Sequence, residues 1–116
     1  MNNKTEKIAK LNDEARQSYM MPVFGKRLCQ VYETEGIFNL SPEDRVIIAA
    51  KVRDHSDFSK GNNPYGERDF GALEHNGQKI FWKIDYYDPS LKQGSEDPSD
   101  PAKTQRVLTI MLAHEY

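Results

Sequence analysis

The chain has a single cysteine among its 116 residues, Cys29. One cysteine excludes an intramolecular disulfide and a cysteine-rich zinc site, and fits a reducing compartment. No histidine lies near it in sequence, so Cys29 reads as a small buried hydrophobe and not as a reactive thiol. Charge of one sign is also lacking: 16 Lys and Arg stand against 18 Asp and Glu, for a net charge of -2. The two signs are interleaved, which leaves no basic field for nonspecific nucleic-acid binding and no polyanionic surface. No apolar run approaches the ~20 residues that span a bilayer, and the opening MNNKTEKIAK holds no apolar core of signal-peptide length. The expectation is a cytoplasmic protein with no membrane partner. No serine sits in a nucleophile elbow, no glycine-rich loop could cradle a phosphate, and no internal repeat is present.

The hydrophobic fraction is low at 37%, as is the mean hydropathy of -0.81. The apolar residues nevertheless come in ordered runs, which indicates a folded chain with polar loops. The length fits one domain over residues 1–116, with a helical part at 1–54 and a hairpin and C-terminal strand at 63–116. Thr5 to Tyr19 reads as an amphipathic helix with Ile8, Leu11, Ala15 and Tyr19 on one side. Met20-Met21-Pro22 and Gly25 break it, and Lys26 to Glu33 alternates like a strand. Gly36 turns the chain. Ser41-Pro42-Glu43-Asp44 is a helix start, with a hydroxyl cap, Pro at the first position and acids at the positive end of the dipole. That helix runs to about Arg53 with Val46, Ile47 and Ala50 inward. A loop over residues 54–63 follows, anchored by Phe58.

Residues 64–87, PYGERDFGALEHNGQKIFWKIDYY, spell a β-hairpin. Asn76-Gly77 between two strand-like runs favours a two-residue type I′ turn, because both positions need positive φ. With His75 opposite Gln78, the pairs are Glu74–Lys79, Leu73–Ile80, Ala72–Phe81, Gly71–Trp82, Phe70–Lys83, Asp69–Ile84 and Arg68–Asp85. One face carries Leu73, Ile80, Trp82 and Ile84; the other mixes Phe70, Ala72 and Phe81 with Lys83, Asp85, Arg68 and Glu74. The loop at 88–103 holds three prolines and a cluster of acids, and a loop so long in a small domain is commonly functional or mobile. Residues 105–113, QRVLTIMLA, read as a central strand covered on both faces, with a buried helix as the alternative. The sum is an α+β domain: two helices packed on one face of a mainly antiparallel sheet of about four strands, with a central β-hairpin.

The blocks PYGERDFG, FWKIDYYD and DPSDPAKTQRVLTIMLAHEY resemble the bacterial family called domain of unknown function thirty-seven sixty-eight. The likeness is tight from Asn63 to Tyr116 and looser back to Leu11. The family has no assigned activity. The resemblance implies a small protein carried on plasmids and other mobile elements, beside genes that help them evade restriction and other host defences. His114 departs from the pattern, where an acid is common, and this weakens a ligand role for it.

Three constellations carry possible chemistry. Glu67, Asp69, Asp85, Asp88, His114 and Glu115 hold the carboxylates a hard divalent cation or acid/base chemistry would need. In the inferred register, however, the pleat puts Asp69 and Asp85 on opposite faces, and Arg68–Asp85 and Glu74–Lys79 read as cross-strand ion pairs. A nuclease-like order of acid, acid, lysine is reversed in Lys83-Ile84-Asp85. The aromatics Tyr65, Phe70, Phe81, Trp82, Tyr86 and Tyr87 beside Arg68 and Lys83 resemble interface anchors, with Trp82, Ile84, Ile80 and Leu73 assigned to the core. They could also stack on single-stranded nucleic acid, a weakly supported partner without a wider basic patch. His55 and His75 read as solvated side chains. The leading expectation is a small non-enzymatic protein that binds another protein or protein complex, an anti-defence factor of anti-restriction or anti-CRISPR type or an accessory factor of a mobile element. Its contact residues would be Arg68, Phe70, Phe81, Lys83, Asp85, Tyr87, Glu96, Asp97 and Asp100, with no cofactor and no metal. The alternative is a metal-dependent hydrolase or nuclease using Glu67, Asp69 and Asp85; a third reading is homo-oligomerisation through a strand edge.

Overall fold

The computed structural model describes residues 3–19, 29–58, 63 and 65–116, and its sheet grows out of the hairpin. Asn76 and Gly77 take φ of 52° and 77°, as a type I′ turn requires. They join β2 (Phe70–His75) to β3 (Gln78–Tyr87). Every expected pair from His75–Gln78 to Phe70–Lys83 is present, and the Ile84 amide donates to the Asp69 carbonyl at 2.8 Å. The ladder stops there. Arg68 has φ of 52°, turns away from the strand and brings its guanidinium to within 2.6 Å of Asp13. The expected Arg68–Asp85 pair therefore does not form, and Asp85 pairs along its own strand with Lys83 at 2.9 Å.

The strand β4 (Gln105–Leu112) runs antiparallel to β3, and β1 (Cys29–Glu33) runs parallel to the other side of β4. The sheet is thus mixed, in the order β1-β4-β3-β2. Residues 105–112 are the inner strand expected of so β-branched a run, and the helical alternative falls away. The expected strand start at Lys26 and the break at 20–25 lie outside the described residues.

Two long helices, α1 (Asn3–Ser18) and α3 (Pro42–Arg53), lie on one face, with a short helix α2 (Glu35–Phe38) between β1 and α3. The α3 start is as read: the Ser41 side chain accepts from the Asp44 amide, with Pro42 following. Its inward side is not. Val46 and Ile47 are 60% and 45% exposed, and Ile48 and Val52 carry the packing. The segment VIIAA is apolar all round, so periodicity does not fix its rotation; polar tethers do. Arg45 pairs with Glu33 on β1, and the Lys51 ammonium donates to the Glu74 carbonyl on β2 at 3.0 Å. On α1 the buried stripe likewise runs through Asn12 and Arg16 as well as Ile8 and Ala15, with Leu11 to its side.

The core joins Cys29, Ile80, Trp82, Ile84, Leu108, Ile110 and Leu112 of the sheet to Ala15, Ile37, Ile48 and Val52 of the helices. Phe58 anchors its loop there, edge-on to Trp82 with ring centroids 6.1 Å apart. Opposite Trp82 stands Gly71, where a Cβ would run into the indole. Gly36, read as a turn, sits inside α2; a Cβ there would collide with Leu112 and Glu115. Among the described residues, no helix is long and apolar enough to cross a membrane.

Candidate functional site

Under the helices most polar groups satisfy one another, with the buried Arg16 Nε and Trp82 Nε1 as exceptions among the described residues. The Arg16 guanidinium, 1% exposed, donates from Nη1 to the Val52 and Arg53 carbonyls at 2.8 Å each. It thereby closes the C-terminal end of α3, where the last-turn carbonyls and the dipole favour a cation. Its Cζ also lies 5.0 Å from the Trp82 ring centroid. Asn12 donates to the Glu67 carbonyl at 2.9 Å and to the Tyr86 hydroxyl at 2.7 Å, and accepts from Arg106 Nε at 2.7 Å. Tyr86 donates in turn to Glu67 Oε1 at 2.8 Å, and Arg106 Nη2 donates to the Pro98 carbonyl at 2.7 Å. Burial pushes the Tyr86 hydroxyl up, so it stays a neutral donor. The network ties α1 to β3, β4 and the loop before β4; a buried set so closed is a structural joint. Sequence reading assigned no role to Asn12, Arg16 or Arg106, because their meaning depends on partners 36 to 94 positions away.

On the other face the situation differs. Phe70, Phe81, Lys83, Asp85 and Tyr87 alternate onto the side away from the helices, as expected from the register, in line with Tyr32, Val107, Thr109 and Met111 of the neighbouring strands. No helix covers this side among the described residues. Phe70, Phe81 and Tyr116 form a three-ring cluster with centroids 5.1 to 5.9 Å apart. Val107 and Met111 are buried between such neighbours, so β4 is covered on both faces, once by helices and once by side chains. Two cavities of about 340 Å³ each flank the Lys83–Asp85 pair: one is lined by Tyr32, Tyr87, Leu91, Val107 and Thr109, the other by Tyr65, Asp69, Phe70, Ile84 and Tyr116. Asp85 raises the affinity of Lys83 for its proton through their hydrogen bond. Tyr32 and Tyr116, which belong to this face and are 54% and 75% exposed, were missed; Tyr32 alternates with Val31 in its strand and offered a signal, whereas Tyr116 reaches the face only through the 3-10 turn Ala113–Glu115.

The remaining candidates scatter. Arg68 faces α1. Asp97 accepts from the Ser99 amide and hydroxyl and pairs with Lys4 at 3.3 Å, while the Asp100 side chain caps the 3-10 turn Pro101–Lys103. Glu96 is exposed in the same loop. Asp88 accepts from the Ser90 hydroxyl and the Lys92 amide. The loop is thus internally tied. Of the carboxylate set, Glu67 is engaged by Tyr86. Glu115 accepts from Thr34 Oγ1 at 2.6 Å and from the Gly36 and Leu112 amides at 2.9 Å each, and His114 is exposed. Asp69 and Asp85 do share a cavity, because Asp69 precedes β2 at the point where the ladder ends. Among the described residues, no group of three His, Cys, Asp or Glu is placed to hold a metal ion.

Neither His55 nor His75 is simply solvated. His55 packs edge-on to Trp82 and Phe58. His75 is buried, with Nε2 2.8 Å from Asp44 Oδ1 and Nδ1 3.3 Å from the Lys51 ammonium. An ammonium only donates, so Nδ1 accepts and Nε2 carries the proton toward Asp44. The pair fastens the hairpin tip to the start of α3. Cys29 is buried under Ala15, as a small hydrophobe would be.

A family model described as "Protein of unknown function (DUF3768)" matches residues 33–115. No significant match was found among curated proteins or among solved structures.

Proposed function

We propose that this chain, which belongs to the DUF3768 family, is a non-enzymatic binding protein whose sheet face away from the two long helices docks a partner protein. One observation carries the reading: a complete sheet face presents a ring cluster, exposed tyrosines and a central ion pair, flanked by two cavities. Aromatic anchors beside paired charges are what protein interfaces are built from. A protein suits this face better than a nucleic acid, since Lys83 is paired with Asp85 along its strand and Lys79 lies over the Phe81 ring, opposite Glu74 in register. The acids of the 88–103 loop are secondary, because Asp97 and Asp100 already hold that loop in shape. The anti-defence or accessory role on a mobile element rests on the family resemblance and sets the class of partner to look for, in a cytoplasmic setting. The hydrolase or nuclease alternative draws less support, since Glu67 is turned to Tyr86 and Asp85 to Lys83.

The test is capture of a partner from a lysate of cells that carry the gene, comparing the unmodified protein with Tyr32→Ala/Tyr87→Ala and with Asp97→Lys/Asp100→Lys. A stoichiometric protein lost only with the tyrosine variant is the expected result. Retention by the tyrosine variant with loss in the loop variant would move the interface to the loop. Capture unaffected by both would remove the face from the reading.

A further inference from the structure

We propose that the cavity between Tyr65, Phe70, Tyr116 and Asp69 receives an arginine side chain of the docked partner protein. This deepens the binding-face reading and rests on it. Three features of the cavity define the occupant. The first is charge: Asp69, Asp85 and Lys83 line it, and Lys83 is already held by Asp85 at 2.9 Å, so Asp69 leaves a net negative site. Among the described residues, the charged groups that act on Asp69 are both acids, Glu67 and Asp85. Burial first, and these two neighbours after it, push its carboxyl up. A half-buried carboxylate next to like charge is stabilised by a cation from outside.

The second feature is the wall. Phe70 and Tyr116 meet edge to face with centroids 5.9 Å apart, and Tyr65 and Tyr116 are 78% and 75% exposed. Aromatic rings with open faces attract cations. The third is shape. A volume of about 340 Å³ walled by rings on some sides and a carboxylate on another suits a flat, weakly hydrated guanidinium, which stacks on a ring and forks onto a carboxylate at once. An ammonium is a compact, strongly hydrated point charge and gains less from such walls. A metal ion would want several oxygen ligands, and among the described residues no third carboxylate joins Asp69 and Asp85 there.

The experiment follows backbone amide resonances of the 15N-labelled protein during titration with N-acetyl-arginine methylamide, with the citrulline counterpart as an uncharged probe of the same shape. Expected are saturable shifts at Asp69, Phe70, Lys83, Asp85 and Tyr116 with the arginine probe and none with citrulline. Affinity should drop about tenfold or more in Asp69→Asn, the scale of a lost charge-assisted hydrogen bond. Among the described residues the Asp69 side chain ties no other element, so that variant should keep the native spectrum; Tyr116→Ala gives a second and independent loss. Absence of saturable shifts, equal response to citrulline, or undiminished affinity in both variants would overturn the assignment. Tyr32→Ala/Tyr87→Ala separates it from the wider reading. If that variant loses the partner while the arginine probe binds nowhere, the face docks a protein without an arginine; if it keeps the partner, the face itself is wrong.

Discussion

Phe81 and Trp82 are neighbours on one strand and meet opposite worlds. Trp82 is fully buried, roofed by the Arg16 guanidinium and the rings of Phe58 and His55. Phe81 stands with Phe70 and Tyr116 on a side that no helix covers among the described residues. The same contrast holds for the polar groups of the two faces. Under the helices Asn12 and Arg106 find partners within the chain. On the far side, Lys83 and Asp85 pair with each other, and Asp69 faces acids among the described residues. A buried network that closes on itself stabilises and positions; a face with rings and charge left over is where a second molecule gains by binding.

The comparison breaks most visibly at Trp82. Trp82→Ala should cost about 3–5 kcal/mol by leaving a cavity under both helices, measured as a shift of the urea midpoint at constant slope. Gly71 gives the same information from the opposite direction, since Gly71→Val must displace the indole. Next comes Arg16→Met, which keeps the apolar stem but removes the buried donor that the Val52 and Arg53 carbonyls share, while Val52 keeps its bond from the His55 amide; a loss of about 1–3 kcal/mol is expected from the lost charge-assisted hydrogen bonds. If Arg16→Met were as stable as the unmodified protein, the polar joint would be ornamental, and the contrast between faces would rest on packing alone.

A smaller effect sharpens the comparison at the C-terminus, where Glu115 ties α2 to the end of β4. Burial alone would raise its carboxyl, but hydrogen bonds from Thr34, Gly36 and Leu112 outweigh it, and the net direction is below the ordinary value of 4.5. A carboxyl whose proton affinity is lowered by folding contributes stability above its unfolded value, and that contribution is lost as pH falls through the folded one. Melting temperature should therefore drop on acidification below about 4.5 by more in the unmodified protein than in Glu115→Gln, whose curve lacks that component. Parallel curves would show that the three hydrogen bonds do not depend on the charge.

What was readable from the chain is what local chemistry decides. The Asn76-Gly77 turn fixed six pairs of register, the Ser41-Pro42 start fixed α3, and alternation placed Phe70, Phe81, Lys83, Asp85 and Tyr87 together. What was not readable depends on rotation and long-range partners. The apolar run around Val46 has no polar side to orient it, so Arg45 and Lys51 decide, through residues on β1 and β2. Arg68 looked like a strand residue, and only its positive φ takes it to Asp13. The acids at Asp97 and Asp100 looked available, because short-range capping in a Ser/Pro-rich loop leaves the same composition as an open charged surface. Asp69 shares a cavity with Asp85 although period-2 counting put it with Trp82, since the ladder ends at it.

The smallest expected change in stability belongs to the open face, and it carries the largest consequence for function. Tyr32 and Tyr87 both line one of the two cavities and are 54% and 36% exposed, so Tyr32→Ala/Tyr87→Ala should shift the unfolding free energy by no more than about 0.5 kcal/mol per site. Loss of partner capture at unchanged stability would show that the rings on this face serve another molecule, as Trp82 serves this one. A loss of several kcal/mol would mean the opposite: that Val107 and Met111 depend on those tyrosines for cover, and that the second face is a second core. The outcome is decided by the same unfolding curve used for Trp82→Ala, which makes the two faces directly comparable in one protein under one condition.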